Sequence, residues 1–398
     1  MKKQAGSGLT LYGIFIALIV ALATMAGSYN QFQLPPIQEM VQESANLSPA
    51  QYVQAFSSPM LPGLFLSLVA GVLIDRFGYR KMIALSLVVS TIGAAGRIFC
   101  SSYLPFFISM ALTGFAPTFV QSNNAKIMSN YVPKEQISVA MGVVMLGGSA
   151  ASFLGSSTTH LFPSAKAAYL CATVLGIVAL VLWLLCIRQK SGSGEAETTV
   201  SVASALKNVL RSAKVWRIAV CMFFVQGFFM SVSSTGPSAL KSLGYAPATA
   251  GLLTGMLSIG SPLGCLIGAP LAIRSGKPKQ CMLAITLVTA ILFPLLWTST
   301  NIVVCTFTFF LCGFCFGTDM ITIASLPINL PEIGQKYAGT AGGLINTVAM
   351  AGGFGLSSYV IAPLANGDFR VQFLLAAAAL GLGFLAMFLI PHIELKKQ

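Results

Sequence analysis

The chain has 398 residues, of which 56% are hydrophobic and only 8% are charged, against about a quarter charged in average soluble usage. So few charges cannot cover the surface of a soluble enzyme of this length, and a disordered chain would need the opposite balance of charge and hydrophobicity. The net charge of +13 comes from 23 Lys and Arg against 10 Asp and Glu; it would suggest nucleic acid as a partner of a soluble chain, whereas membrane proteins place such an excess in their cytoplasmic loops.

Twelve apolar segments follow one another, each near the ~20 residues that span a bilayer. The first, 9–33, comes after Lys2 and Lys3 and contains Ala21-Leu22-Ala23, which matches a signal-peptide cleavage site in outline. Because further spans follow, it reads as a retained first helix. It carries the polar residues Thr24, Ser28 and Gln31. The second segment, 50–74, holds Pro59 and Pro62 and ends in the run Gly71-Val72-Leu73-Ile74-Asp75-Arg76-Phe77-Gly78-Tyr79-Arg80-Lys81.

That run resembles the signature loop of the major facilitator superfamily: Gly, three residues, Asp, a base, any residue, Gly, any residue, two bases. Every defined position matches, and the layout of twelve spans extends the resemblance over nearly the whole chain. Elementary physics gives the loop a rationale of its own. Gly71 lets two helices approach closely. Gly78 permits the tight turn. Asp75 can accept from a helix N-terminus or pair with arginine. The resemblance implies that Asp75, Arg76, Arg80 and Lys81 latch two halves together on the cytoplasmic side and release when the carrier opens inward. The plainer alternative is that the bases only fix topology.

The third segment, 81–102, carries Arg97, a base well inside a span that can attract an anion, pair with an acid or snorkel outward. The fourth, 104–129, places Gly114, Thr118, Gln121 and Ser122 on one helical face. Lys126 near its end is placed to snorkel. Met110 stands where the family often has an arginine, four residues before Gly114. The fifth, 137–158, has Gly147-Gly148-Ser149 where the family's drug/proton antiporters carry Gly-Pro. The sixth is 165–187.

Residues 188–214 form the long polar stretch inside the chain, a Ser/Gly-rich linker followed by a segment that suits a surface amphipathic helix. The expected organisation is a six-helix bundle over 1–187, a cytoplasmic linker over 188–214 and a second six-helix bundle over 215–398. The fold expected is an all-α membrane protein with two pseudo-symmetric bundles. Repetition supports it. Residues 75–81 align with 273–279 at an offset of 198, matching Arg76 with Arg274, Gly78 with Gly276 and Lys81 with Lys279. Internal repeats of spans mark secondary transporters, with the site between them.

The later segments are 215–238, 248–273, 280–299, 302–326, 338–363 and 369–391. The first of these carries Gln226 and Ser233. The tenth span carries Asp319, which shares a face with Cys315 and Thr322. A carboxyl at membrane depth is a functional candidate, and here it suits a proton site or substrate contact; a structural hydrogen bond between helices is the alternative. The eleventh carries Asn346 among glycines. In the resembled family, helices one, four, seven and ten line the central cavity, so the polar residues on these helices, with Asn346 and Arg97, are the expected cavity set.

Basic residues decide orientation. With the N-terminus inside, 19 fall in cytoplasmic segments and 3 (Lys166, Lys241 and Arg370) outside. Both termini are therefore expected in the cytoplasm of a bacterium, with the chain in its inner membrane. Nine cysteines lie mostly in apolar runs, and Cys312-x-x-Cys315 has no companion pair, so neither disulfides nor metal is expected. No cofactor and no nucleic-acid partner is expected, and no catalytic set is legible. The function expected is that of a monomeric secondary transporter, a proton-coupled symporter for a small organic anion. The missing arginines in spans two and eight argue against nitrate. A carrier exporting lipophilic cations and a non-transporting sensor of the same fold are the rival readings.

Overall fold

A computed structural model describes residues 11–133, 136–188, 202–297, 301–327, 330 and 332–390. The described residues form helices joined by short connections, without strands. Twelve principal helices carry the fold. In the first half they are α1 Leu11–Phe32, α2 Met60–Phe77, α3 Tyr79–Gly96, α4 Tyr103–Thr113 with its continuation Phe115–Gln121, α5 Ile137–Thr158 and α6 Ala165–Cys186. In the second half they are α7 Ala213–Ser242, α8 Pro247–Leu263 with its continuation to Arg274, α9 Pro278–Leu292, α10 Ile302–Ser325, α11 Gly334–Ala351 with its continuation to Ala365, and α12 Phe369–Phe388. Eleven helical segments among the described residues are long and apolar enough to cross a membrane. The remaining expected span corresponds to α2 and the short helix Pro49–Ser57 before it.

Local chemistry sets several helix starts. Ser164 and Ser212 accept from backbone N–H groups at the N-termini of α6 and α7, and Asn301 and Asp368 do the same for α10 and α12. The repeat is visible in the backbone. Gly78, between α2 and α3, has φ 86°, and Gly276, at the matching place between α8 and α9, has φ 72°. Both adopt the left-handed region that a side chain disfavours. Just beyond each turn a base reaches the end of another helix in its own half. Arg80 Nη2 donates to the Leu184 carbonyl of α6 at 2.7 Å, and Lys279 Nζ donates to the Phe388 and Ile390 carbonyls at the end of α12. A cation at a helix C-terminus satisfies orphan carbonyls and opposes the helix dipole.

Small residues let helices pack at backbone distance. Along α8 and α10, a Cβ at Gly260, Gly264, Gly313 or Gly317 would collide with a carbonyl oxygen of the partner helix. The halves meet where α5 packs on α8 and α2 packs on α11. At the end of the bundle away from the linker, polar contacts join them. Tyr52 Oη donates to the Ser234 carbonyl at 3.1 Å, Ser358 Oγ to Val53 O at 3.3 Å and Ser238 Oγ to Pro35 O at 3.4 Å. Lys241 pairs with Glu39 at 3.3 Å there. At the linker end, Tyr79 and Tyr131 meet at 3.2 Å between their hydroxyls and both donate to the Arg188 carbonyl.

Candidate functional site

A cavity of about 480 Å³ lies between the halves. From the first half it is walled by Thr24, Ser28 and Phe32 of α1, Ser67 of α2, Thr118 and Gln121 of α4 with the adjoining Ser122 and Asn124, and Ser149 and Ser152 of α5. From the second half come Phe229 of α7, Ser258, Ser261 and Cys265 of α8, Phe316 and Met320 of α10, and Asn346 and Met350 of α11. Gln121 and Ser122 are exposed where the cavity approaches the linker end. Toward the opposite end Tyr52, Ser358 and Ser238 hydrogen-bond from one half to the other.

The wall combines two chemistries. Serine and threonine hydroxyls and the amides of Gln121, Asn124 and Asn346 supply donors and acceptors. Four of the hydroxyls donate to a carbonyl one turn back: Thr24 to Val20 O at 3.2 Å, Thr118 to Gly114 O at 2.7 Å, Ser122 to Thr118 O at 2.8 Å and Ser152 to Gly148 O at 3.0 Å. Their lone pairs stay available to a ligand. The apolar part is aromatic and sulfur-rich. Phe229 and Phe316 stack with centroids 4.0 Å apart, and Met141, Met145, Met320 and Met350 surround the space with adaptable thioether side chains.

Of the expected set, Thr24, Ser28, Thr118, Gln121, Ser122 and Asn346 are brought together on this wall. Gln31, Gln226, Ser233, Arg97, Asp319 and Thr322 are not among its lining residues. Gln31 is held at the far end of α1, where Nε2 donates to Phe56 O at 2.9 Å and meets Met230 Sδ at 3.8 Å. Gln226 packs beside Gly353 of α11. Ser233 is half-buried, and its Oγ has no hydrogen-bond partner.

Arg97 is buried within the first half. Its guanidinium donates to the Asn30 carbonyl at 3.1 Å and to Asn30 Oδ1, and lies 4.7 Å from the Tyr169 ring centroid. With the Gln33 amide turned so that its oxygen faces the guanidinium, that oxygen accepts from both Nη atoms at 2.8 and 2.9 Å. α1, α3, α4 and α6 thus close around the base.

Asp319 departs from the expected direction as well. Phe316 and Met320, one turn apart, occupy the cavity face of α10, so Asp319 and Cys315 are rotated onto a neighbouring face. Asp319 is completely buried there. Its Oδ2 accepts from Thr286 Oγ1 of α9 at 3.0 Å and from Cys315 Sγ at 3.5 Å, while Oδ1 has no hydrogen-bond partner. Thr322, three residues on, is also fully buried and its Oγ1 is unpartnered.

In the signature loop, Arg76 is exposed and lies 5.3 Å from the Phe77 ring centroid, and Lys81 is exposed. Gly71 and Asp75 fall within α2, and the Asp75 side chain lies outside the described residues. Sequence reasoning missed the serines of α5 and α8. Their spacing was a usable signal, since Ser149 with Ser152 and Ser258 with Ser261 repeat at i, i+3 on facing helices of the two halves.

Comparison with known proteins gives a consistent family. The model of the Major Facilitator Superfamily matches residues 6–357. A probable nitrate/nitrite antiporter of Thermus thermophilus is 26% identical over 373 residues, covering 85% of this chain and 83% of the relative. A probable sulfoacetate transporter of Cupriavidus necator is 24% identical, with 88% of this chain and 87% of the relative covered. Among solved structures, a bacterial homolog of the human lysosomal transporter Spinster, in an inward-facing and occupied conformation, superposes with a TM-score of 0.81. The two share 10% sequence identity, and the match covers 96% of this chain and 97% of that one.

Proposed function

The chain belongs to the Major Facilitator Superfamily and is a membrane transporter, and on that premise we propose that it moves a small organic anion by alternating access, coupled to protons through Asp319. The observation that carries the reading is the cavity walled by both halves, with inter-half hydrogen bonds at its far end. Two bundles around one site are the arrangement that rocking requires. We place the bundles at 1–187 and 215–398, with both termini in the cytoplasm of a bacterial inner membrane. The cavity is then open to the cytoplasm. On this reading the loop residues Asp75, Arg76, Arg80 and Lys81 form their inter-half latch only after the cavity closes on that side.

The anion reading draws on the named substrates of the two relatives and on the hydroxyl and amide donors of the wall. Neither α2 nor α8 has an arginine in mid-span, which favours an organic anion over nitrate. The stacked phenylalanines and the methionines favour a second reading, a lipophilic solute bound for export. Asp319 supports coupling because an unpaired carboxylate at membrane depth is costly and a proton removes that cost. We further assign the carrier a monomeric state and no catalytic chemistry.

Purified protein in proteoliposomes tests this. The expected result is accumulation of a small organic anion, sulfoacetate being the first probe, when a pH gradient is imposed, with collapse on adding a protonophore. Thermal stabilisation by lipophilic cations alone, with no anion uptake, would replace the proposal by the second reading.

A further inference from the structure

The linker helix Val202–Arg211 does more in the structure than join the halves. Its Val209 is fully buried, and the helix packs against α11, the helix that brings Asn346 and Met350 to the cavity. Three hydrogen bonds fix its junction with α7. Ser212 Oγ donates to Glu332 Oε1 at 2.7 Å, Lys214 Nζ to Glu332 Oε2 at 3.4 Å, and Trp216 Nε1 to the Leu210 carbonyl at 3.0 Å. The Ser212 hydroxyl, with Lys214 beside it, holds the Glu332 carboxyl below the usual glutamate range.

The outer side of the same junction is basic and apolar together. Lys207, Arg211 and Arg217 are exposed. Beside them Leu210 is 44% exposed and Trp216 is 40% exposed. Glu332 neutralises Lys214 and leaves these three cations unopposed by any described ion pair. Lys207 and Arg211 lie one turn apart on the linker helix, and Arg217 follows at the first turns of α7. An exposed tryptophan and leucine flanked by cations, at the point where a span leaves the membrane, is the composition that headgroups of an anionic leaflet attract.

We propose that the junction of the linker helix and α7 is a binding site for the phosphate headgroups of anionic phospholipids, held by Lys207, Arg211 and Arg217 with Trp216 and Leu210 seated among the lipid chains. The occupied site pins the linker helix against α11, so lipid charge acts on the stability of the second half without touching the cavity. The inference rests on the chain's being a membrane protein and is independent of substrate, coupling ion and sidedness. Near an anionic surface each cation is worth roughly fivefold in affinity, so the three together give on the order of a hundredfold.

The test is thermal unfolding of the full chain in nanodiscs of phosphatidylcholine alone and of phosphatidylcholine with phosphatidylglycerol. The wild type is expected to melt several degrees higher in the anionic discs, with the gain reduced by high salt. The triple variant Lys207→Gln, Arg211→Gln, Arg217→Gln is expected to lose the gain while melting like wild type in neutral discs. A charge-retaining triple variant, Lys207→Arg, Arg211→Lys, Arg217→Lys, should keep it. Should the glutamine variant be unstable even in neutral discs, titration of wild type with short-chain phosphatidylglycerol and with inorganic phosphate still decides. Saturable stabilisation by the lipid, beyond that given by phosphate, supports the site, and stabilisation by phosphate to the same extent overturns the lipid assignment. An undiminished lipid effect in the glutamine variant, or no effect in wild type, overturns the proposal.

Discussion

Two buried ionisable side chains, one in each half, have opposite surroundings. Arg97 spends its donors on Asn30 and, through the turned amide, Gln33, and rests on the face of Tyr169. Four helices meet on a charge that is spread over neutral acceptors and a ring. Asp319 has one oxygen held by Thr286 and Cys315 and the other without a partner. A fully partnered guanidinium is an internal brace, costly to remove and with no proton to exchange. A carboxyl with an idle oxygen can take up a proton without first breaking a network. Burial alone therefore does not tell structure from function; the state of the partners does.

Changing Arg97 should have the largest effect. Arg97→Met leaves Asn30 and Gln33 facing a void without donors, and is expected to cost roughly 2–5 kcal/mol, read as a lower melting temperature in detergent. Unchanged melting would remove the contrast between the two sites. Next comes Asp319→Asn, which keeps shape and should fold. It is expected to reduce pH-driven accumulation at least tenfold while sparing exchange of substrate across the membrane. Loss of folding instead would make Asp319 a brace like Arg97. Thr286→Val removes one donor to Oδ2 and should cost about 1 kcal/mol, with the pH profile of transport displaced but not abolished.

The smallest effect is expected at the surface. Glu332→Gln weakens the Ser212 and Lys214 contacts of a half-exposed carboxyl, at most about 1 kcal/mol after solvent screening. Its sign with pH is fixed. The folded state holds Glu332 lower than the unfolded chain does, so its contribution is complete above the ordinary glutamate range. That contribution is lost as pH falls through the lowered value. A melting series in acid, wild type against variant, should converge.

Much of this was legible in the sequence for physical reasons. Spans are written in composition, and the repeat was written in loops, where Gly78 and Gly276 must adopt the same unusual backbone. The polar faces of α1 and α4 were readable because a hydroxyl at helical spacing stands out against leucine and phenylalanine. What could not be read was rotation. Cys315, Asp319 and Thr322 do share one buried face, yet nothing in their spacing says whether it turns to the cavity or to Thr286 of α9. Nor does a lone arginine in a span announce Asn30, 67 positions earlier, as its acceptor. The serines of α5 and α8 passed for helix-packing residues because small hydroxyl residues serve both purposes.

In the proposed coupling, Asp319 exchanges a proton while Arg97 stays fixed. The direct measurement is an infrared difference spectrum of the purified carrier between mildly acidic and mildly alkaline buffer, for wild type and for Asp319→Asn. The account predicts a protonated-carboxyl band in the wild type that disappears on going to alkali and is absent from the variant. The same band in both proteins, or no titrating carboxyl assignable to Asp319, would contradict it.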